Sequence, residues 1–203
     1  MNALFDLNNS GTVKPENWDG KYNIIYADPP WEFNDKRRNG AADHYSVMNL
    51  ESLKALDVDE ISANDCVLFM WVVFPMLQEG LDLIRAWGFK YKTIAFNWIK
   101  TTENNNLFWG EGMYTRSNSE ICLLGIKGRP KVISHSVHSV VLSKVRNHSQ
   151  KPDVVRDRIV QLYGDLPRIE LFARDTVLGW DCFGNEVNSN IMLRSKLYDN
   201  CKL

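Results

Sequence analysis

Apolar runs without alternating polar residues are the dominant pattern of this chain. Residues 22–27 and 66–73 are the clearest examples, and such runs predict strands buried on both faces of a sheet. Further apolar segments predict strands over 91–99, 120–126 and 168–173. The chain is therefore expected to contain a sheet whose central strands are covered on both faces.

Between the predicted strands, apolar residues recur at the spacing of one helical face. The first such stripe follows Pro75 and is ended by Gly88, and the second follows Pro152. A short helix is also predicted over 50–56. Strands that alternate with amphipathic helices predict an α/β fold with a mostly parallel, doubly wound sheet. The stripe residues are Leu77, Leu81, Ile84 and Val155, Ile159, Leu162.

Three polar segments interrupt this pattern. Residues 1–20 predict an irregular N-terminal arm. Residues 32–45 are charged, and residues 100–118 contain three consecutive asparagines and two glycines, so both segments are predicted to be long loops. Neither an internal repeat nor a linker indicates a second domain.

Composition narrows the function classes only slightly. The 203 residues carry a formal net charge of −1, which gives no indication of nucleic-acid or membrane binding. The four cysteines are scattered without a Cys-x-x-Cys pair, which predicts free thiols and no metal site. Because the sequence shows neither a leader peptide nor an apolar run of membrane-spanning length, we expect a cytoplasmic protein.

The first predicted strand ends in an unusual motif, Asp28-Pro29-Pro30-Trp31. The prolines lack the N–H that sheet pairing requires, so the motif is interpretable as a strand terminator alone. It also has the groups that bind an aromatic amine: a carboxylate, two rigid carbonyls and an indole on which a base can stack. Ligands of parallel sheets bind outside the carboxyl ends of the strands, where this motif lies.

The motif resembles the catalytic motif of amino-group methyltransferases that act on adenine with S-adenosylmethionine. The chain as a whole is similar to the family of the catalytic subunit of the eukaryotic mRNA N6-adenosine methyltransferase, which also has bacterial and phage members proposed to act on DNA. The resemblance implies a Rossmann-like methyltransferase domain over 21–187 and leaves 188–203 as a C-terminal tail. The segments that follow the motif in the family's order are 69–72, 87–89, 98–101, 120–128, 148–153 and 168–174.

In this family the catalytic motif precedes the cofactor-binding segment, so no Gly-x-Gly-x-x-Gly motif is expected near the N-terminus. The resemblance implies that Lys151 pairs with the methionine carboxylate of S-adenosylmethionine and that Glu170 approaches the ribose hydroxyls. A lysine before a helix-opening proline is otherwise a solvated residue. The implied cofactor-binding residues are Asp28, Lys151, Glu170, Arg174, Asn185 and Glu186.

The substrate side is predicted from aromatic and basic residues. Tyr45 and Trp98 are candidates to stack on the base, or else to pack in the core. Residues 127–158 contain eight Lys or Arg against two Asp, which indicates either phosphate contacts or a solvated face. The predicted substrate contacts are Tyr45, Trp98, Lys100, Glu120, Lys36, Arg37, Arg38, Arg146 and His148.

Together these residues predict direct methyl transfer to the N6 amino group of adenine, with Asp28 and the Pro29 carbonyl binding the amino hydrogens. DNA is favoured over RNA because no added RNA-binding module is apparent. The alternatives are an RNA methyltransferase, a non-catalytic nucleic-acid-binding subunit, and a cytosine amino methyltransferase, which usually has Ser in place of the motif's Asp. Relatives often pair, so a homodimer or a heterodimer with a related subunit is expected.

Overall fold

The computed structural model describes residues 11–32, 47–146 and 150–199. The described residues form one seven-stranded sheet in the order β5-β3-β4-β2-β1-β6-β7. Its strands are β1 (Tyr22–Ala27), β2 (Ser62–Val72), β3 (Lys90–Thr101), β4 (Ser119–Lys127), β5 (Val140–Lys144), β6 (Arg168–Leu171) and β7 (Asp181–Phe183). The helices are α1 (Leu50–Lys54), α2 (Val58–Ile61), α3 (Leu77–Ala86), α4 (Val154–Tyr163) and α5 (Lys196–Asp199), with a 3₁₀ turn over Phe74–Met76.

The sheet is mostly parallel, as predicted, with one reversed strand. β1 pairs in parallel with β2 on one side and with β6 on the other. β4 runs antiparallel to both of its neighbours, β2 and β3. This reversal brings the first residues of β4 to the edge of the sheet where β1, β2 and β6 end.

Both faces of the sheet are covered by helices. Ile25 of β1 packs on the face that contacts α1, α2 and α3, whereas Ile24 and Tyr26 pack on the face that contacts α4. A strand buried in this way needs apolar residues on both sides, which explains the unbroken apolar runs. None of the described helices is long and apolar enough to cross a bilayer.

The elements with strong local signals are confirmed, as is the short helix predicted over 50–56, but other short elements were missed. β1 has the predicted bounds, and α3 ends before Gly88 as predicted, with a φ of +83° at that glycine. The predicted stripe of α3 is correct only in part, because Ile84 is buried and Leu81 partly buried, whereas Leu77 is 38% exposed and Leu83 is buried instead. On α4, Tyr163 rather than Leu162 is buried beside Val155 and Ile159. β7 escaped sequence analysis because it has three residues, and β5 because it is a five-residue edge strand with two polar positions.

The segment before β1 is fastened to the sheet through one buried carboxylate. Asp181, at the start of β7, is fully buried and accepts hydrogen bonds from the Thr12 backbone N–H (3.0 Å) and the Tyr22 hydroxyl (2.6 Å). Lys14 adds an ion pair at 3.1 Å. At the other end of the chain, the Lys196 backbone N–H donates to the Ala55 carbonyl at 2.9 Å. The described segments before β1 and after β7 therefore both contact the domain.

Asp181→Ala should destabilise the fold strongly because it leaves two buried donors and a lysine without their acceptor. We expect the free energy of unfolding to fall by about 3 kcal/mol in urea denaturation. The control is Asp82→Ala, which breaks an exposed pair with Arg85 and should cost less than about 0.5 kcal/mol. Equal losses in the two variants would contradict the fastening role of Asp181.

Candidate active site

The strand order changes direction between β1 and β6, and this creates a crevice at their carboxyl ends. From β1 the chain passes to β2 through α1 and α2 on one face, whereas it reaches β6 through α4 on the other. Neighbouring parallel strands whose connections leave in opposite directions form a ligand-binding crevice. Asp28 follows β1 at this edge, and Arg174 follows β6.

The Asp28-Pro29-Pro30-Trp31 motif forms a rigid turn at the crevice. The Trp31 backbone N–H donates to the Pro29 carbonyl at 2.9 Å, and the Met48 N–H donates to the Pro30 carbonyl at 2.9 Å. The Trp31 indole N–H donates to the Trp71 carbonyl at 3.1 Å. These bonds hold the partly exposed Trp31 ring and leave the Asp28 side chain directed at Lys151.

Four charged side chains form a chain of ion pairs that starts at Asp28. The Lys151 ammonium lies 2.9 Å from Asp28 Oδ2 and 3.3 Å from Glu120 Oε2, and Glu120 Oε1 pairs with Lys100. The Lys151 and Glu120 side chains are only 10% and 11% exposed. We call Asp28, Lys151, Glu120 and Lys100 the charge cluster; its two cations and two anions balance.

Burial and charge act in opposite directions within the charge cluster. Burial by itself would raise the pKa of Glu120, but the ammonium groups of Lys151 and Lys100 outweigh it and hold that pKa below its ordinary value. Burial would likewise lower the pKa of Lys151, but Asp28 and Glu120 outweigh it and raise that pKa. Lys151 and Glu120 are therefore charged at neutral pH.

A second ion-pair network links the Lys151 segment to β6. Arg156 of α4 binds both carboxylate oxygens of Glu170, at 2.7 and 2.9 Å, and Asp153 at 2.8 Å. Asp153 also binds Arg146 at 2.5 Å, and Arg146 donates to the Lys151 carbonyl at 2.6 Å. Burial raises the pKa of Glu170, and the Arg156 guanidinium opposes that rise.

The loops after β6 and β7 enclose an open, polar pocket of about 470 Å³. The two loops approach so closely that a Cβ at Gly184 would overlap the Ala173 carbonyl oxygen. The chain turns out of β6 at Phe172, which has a left-handed φ of 61°. The residues lining the pocket are Arg174, Asp175, Thr176, Asn185, Glu186, Val187 and Asn188.

Comparison with known proteins identifies the family of this chain. The MT-A70 family matches residues 22–186, which is most of the chain. The chain belongs to the MT-A70 family. The resemblance to the mRNA N6-adenosine methyltransferase catalytic subunit is thereby confirmed, and the chain is a methyltransferase.

Three relatives show how much of this chain and of each relative is matched. The chain is 35% identical over 192 residues to type II methyltransferase M.MunI of a Mycoplasma species, which covers 84% of this chain and 79% of that protein. It is 26% identical over 174 residues to the human N(6)-adenosine-methyltransferase catalytic subunit METTL3, covering 83% and 29%. It is 29% identical over 173 residues to N(6)-adenosine-methyltransferase MT-A70-like of Arabidopsis thaliana, covering 83% and 24%. The chain thus spans less than a third of the two eukaryotic relatives.

The MT-A70 domain brings most of the predicted site residues to the crevice. Arg174, Asn185 and Glu186 line one pocket, although they come from two different loops. Lys151 and Glu170 lie nearby, but protein groups already engage both: Lys151 binds two carboxylates, and Arg156 binds both oxygens of Glu170. These cofactor-binding residues predicted from sequence therefore come from the same edge of the sheet, and Lys151 and Glu170 there are held by ion pairs within the chain.

The predicted stacking role of Trp98 is wrong. Its side chain is 1% exposed, its indole N–H donates to the Ser143 carbonyl at 3.1 Å, and Trp71 packs edge-on against it. A nucleobase cannot reach a ring that is buried in the core. The packing alternative is correct for this residue.

The basic block over 127–158 does not form one patch. Because β4 is reversed, Lys127 lies opposite Cys66, at the sheet edge away from Asp28. Most of the other cations bind groups of the same chain. Lys151 and Arg156 do so in largely buried pairs with Asp28, Glu120 and Glu170, whereas the bonds of Lys144 to Glu103, of Arg146 to Asp153 and of Arg158 to two backbone carbonyls are exposed. The predicted phosphate contact of Arg146 accordingly competes with its bonds to Asp153 and Lys151.

Five predicted substrate contacts lie outside the described residues: Lys36, Arg37, Arg38, Tyr45 and His148. The other two predicted substrate contacts, Lys100 and Glu120, bind each other inside the charge cluster. Among the described residues, no group of three or more His, Cys, Asp or Glu side chains is placed to hold a metal ion.

Sequence analysis missed the role of Arg156 because it counted this residue only as part of the basic block. The available signal was local: Asp153 and Arg156 lie three residues apart, which places them on one side of a helix start. The pairing of Arg156 with Glu170 depends on how α4 packs on β6, and no sequence pattern shows this packing.

Glu120→Gln should reveal the charge cluster through the pH dependence of stability. Because the folded protein lowers the pKa of Glu120, its stabilisation is present above the ordinary pKa of 4.5 and is lost as the pH falls through the lowered value. The variant should therefore lose about 3 kcal/mol of unfolding free energy near pH 7, and much less near pH 3. Urea denaturation at both pH values measures the difference.

The matched control is Glu51→Gln, which removes an exposed carboxylate paired with Lys54 and should change stability little at either pH. A loss in Glu120→Gln that is the same at both pH values would contradict the assignment of Glu120 as an ionised partner of Lys100 and Lys151.

Proposed function

We propose that this chain transfers a methyl group from S-adenosylmethionine to the N6 amino group of adenine in DNA. The observation that carries the proposal is the Asp28 carboxylate, which Lys151 holds at the end of β1, next to the strand β6 whose following loop lines a polar pocket. An acceptor for an amino group and a site for a nucleoside cofactor thus lie at adjoining strand ends.

The pocket between the loops after β6 and β7 fits the cofactor. S-adenosylmethionine carries two ribose hydroxyls and an adenine, and the pocket offers acceptors and donors for them in Glu186, Asn185 and Arg174. The close approach at Gly184 sets the width of this pocket. When bound there, the cofactor supplies an electrophilic methyl group on a sulfonium.

We revise the role of Lys151 on the basis of its contacts. Its ammonium is buried between Asp28 and Glu120, so a methionine carboxylate would have to displace or join these partners. We assign Lys151 first to holding the Asp28 side chain in place. Arg156 has the corresponding role for Glu170, which it fixes at the edge of the pocket.

The motif residues then act on the target base. The Asp28 side chain accepts a hydrogen bond from the adenine amino group and orients the nitrogen lone pair. The Pro29 carbonyl already accepts the Trp31 N–H, but a carbonyl oxygen has two lone pairs and can accept an amino hydrogen as well. Trp31 is held by Trp71 and offers a fixed ring beside the base. The base must leave a duplex to enter this crevice.

DNA is proposed over RNA on the strength of the relatives' names and coverage. The eukaryotic relatives are named for adenosine, a ribonucleoside, and this chain matches less than a third of their length. M.MunI is more similar and is matched over 79% of its length, and its name specifies no ribonucleoside. METTL3 is named as a catalytic subunit, and we propose that this chain likewise pairs with a second copy or a related subunit.

Asp28→Ala should abolish methyl transfer while preserving cofactor binding. Labelled S-adenosylmethionine is incubated with matched DNA and RNA oligonucleotides, and the modified nucleoside is identified by mass spectrometry. We expect N6-methyladenine in DNA with the wild type and a loss of about 1,000-fold or more in the variant, because Asp28 orients the nucleophile.

The control for this experiment is Asp82→Asn on α3, which should retain full activity. Methylcytosine as the product, methylation of RNA alone, or an active Asp28→Ala variant would each contradict the proposal as stated.

Arg156→Gln should weaken cofactor binding because it leaves Glu170 as an unpaired buried carboxylate. We expect the dissociation constant of S-adenosylmethionine to rise by about 10-fold or more in calorimetry. Arg156→Lys should recover only part of the affinity, since an ammonium cannot bind both carboxylate oxygens in parallel. The exposed variant Arg85→Gln is the control, and unchanged affinity in Arg156→Gln would refute the role of Arg156.

A further inference from the structure

The loop between β3 and β4, residues 102–118, exposes aromatic side chains next to the charge cluster. We propose that this loop binds unstacked bases of the nucleic acid that flank the target adenine, through Trp109, Tyr114 and Arg116. The inference rests on the proposed function and adds to it the surface that holds the substrate outside the crevice.

The base of the loop is part of the candidate active site. The loop follows Lys100 and Thr101 and ends before Ser119 and Glu120, so two members of the charge cluster flank it. The Lys100 backbone accepts a hydrogen bond from Phe108 N–H at 2.9 Å and donates one to the Asn118 carbonyl at 2.8 Å. The loop therefore begins and ends at the same edge of the sheet as Asp28.

The loop is folded on itself rather than extended. A Cβ at Gly110 would overlap the Ser117 carbonyl oxygen, and one at Gly112 would overlap the Thr115 carbonyl oxygen. Its two limbs are thus in van der Waals contact at positions that only glycine can occupy. This packing fixes the backbone that presents the residues between and beside these contacts.

Large side chains on this folded loop face solvent. Trp109 is 71% exposed and Tyr114 is 94% exposed. The Arg116 guanidinium lies 4.3 Å from the Trp109 ring centroid, a stacked cation–π arrangement. An exposed indole, an exposed phenol and a stacked guanidinium are the groups on which bases of single-stranded nucleic acid stack.

The charges of the loop favour bases over phosphates as its ligands. Glu103 pairs with Lys144, and Glu111 offsets Arg116, the one cation between residues 102 and 118, so the loop has no net positive charge. A surface of this kind does not attract the phosphate backbone, so its contribution should depend on stacking and be insensitive to salt. This distinguishes it from a basic DNA-binding patch, whose affinity falls steeply as salt is added.

The test uses Trp109→Ala and Tyr114→Ala in the full chain, with a DNA oligonucleotide that carries one target adenine. We expect the KM for DNA to rise by about 10-fold in each variant, as loss of one stacking contact predicts. The kcat and the affinity for S-adenosylmethionine should not change. The slope of log Kd for DNA against log salt concentration should also remain that of the wild type.

Two further variants separate stacking from loss of structure. Trp109→Phe keeps an aromatic face and should retain most of the affinity for DNA. Tyr91→Ala is the matched control, because Tyr91 is an exposed aromatic residue at the opposite end of β3, and its KM for DNA should equal that of the wild type.

Three outcomes would overturn the inference. The first is an unchanged KM for DNA in both alanine variants. The second is a reduced slope of log Kd against log salt concentration, which would indicate phosphate contact through Arg116. The third is an altered sedimentation coefficient with an unchanged KM, which would indicate an interface between copies of the chain. If the wild type methylates no nucleic acid, the proposed function fails. Fluorescence anisotropy with the same oligonucleotide then still decides whether Trp109 and Tyr114 bind it.

Discussion

The need to neutralise the buried Lys151 ammonium organises the functional end of this fold. A desolvated ammonium is costly unless carboxylates surround it, and the two that do so come from different strands. Asp28 follows β1, and Glu120 opens β4. Both carboxylates must lie beside the Lys151 ammonium, so the ion pairs constrain the order of the strands and also their direction.

The reversed strand β4 meets this constraint. If β4 ran parallel to β2, its first residues would lie at the far edge of the sheet, and Glu120 could not reach Lys151. The reversal also places the β3–β4 loop beside the crevice. The antiparallel direction of β4 therefore has two consequences for the site. It places the buried Glu120 carboxylate and the exposed aromatic β3–β4 loop at the sheet edge where β1, β2 and β6 end.

Local features of the site were predictable from sequence, whereas features that depend on strand direction were not. The turn at Asp28-Pro29-Pro30-Trp31 follows from four adjacent residues, and the pocket residues Arg174, Asn185 and Glu186 follow from the resemblance to the family. Trp98 was misjudged because an aromatic residue before a loop looks the same whether its ring points to the core or to solvent. The basic block was misjudged because the reversal of β4 takes Lys127 away from Asp28.

The pairing of cations within the chain also affects how the proposed nucleic-acid substrate would be held. Lys144, Arg146, Lys151 and Arg156 neutralise carboxylates of the same chain, and the whole chain has a net charge of −1. A charge already matched inside the protein releases few counterions when DNA binds, so it contributes little long-range attraction. Under the proposed function, short-range contacts with bases then become more important for recognition. Such contacts suit an enzyme that draws one base out of the stack, with discrimination at the crevice and the aromatic loop of the further inference.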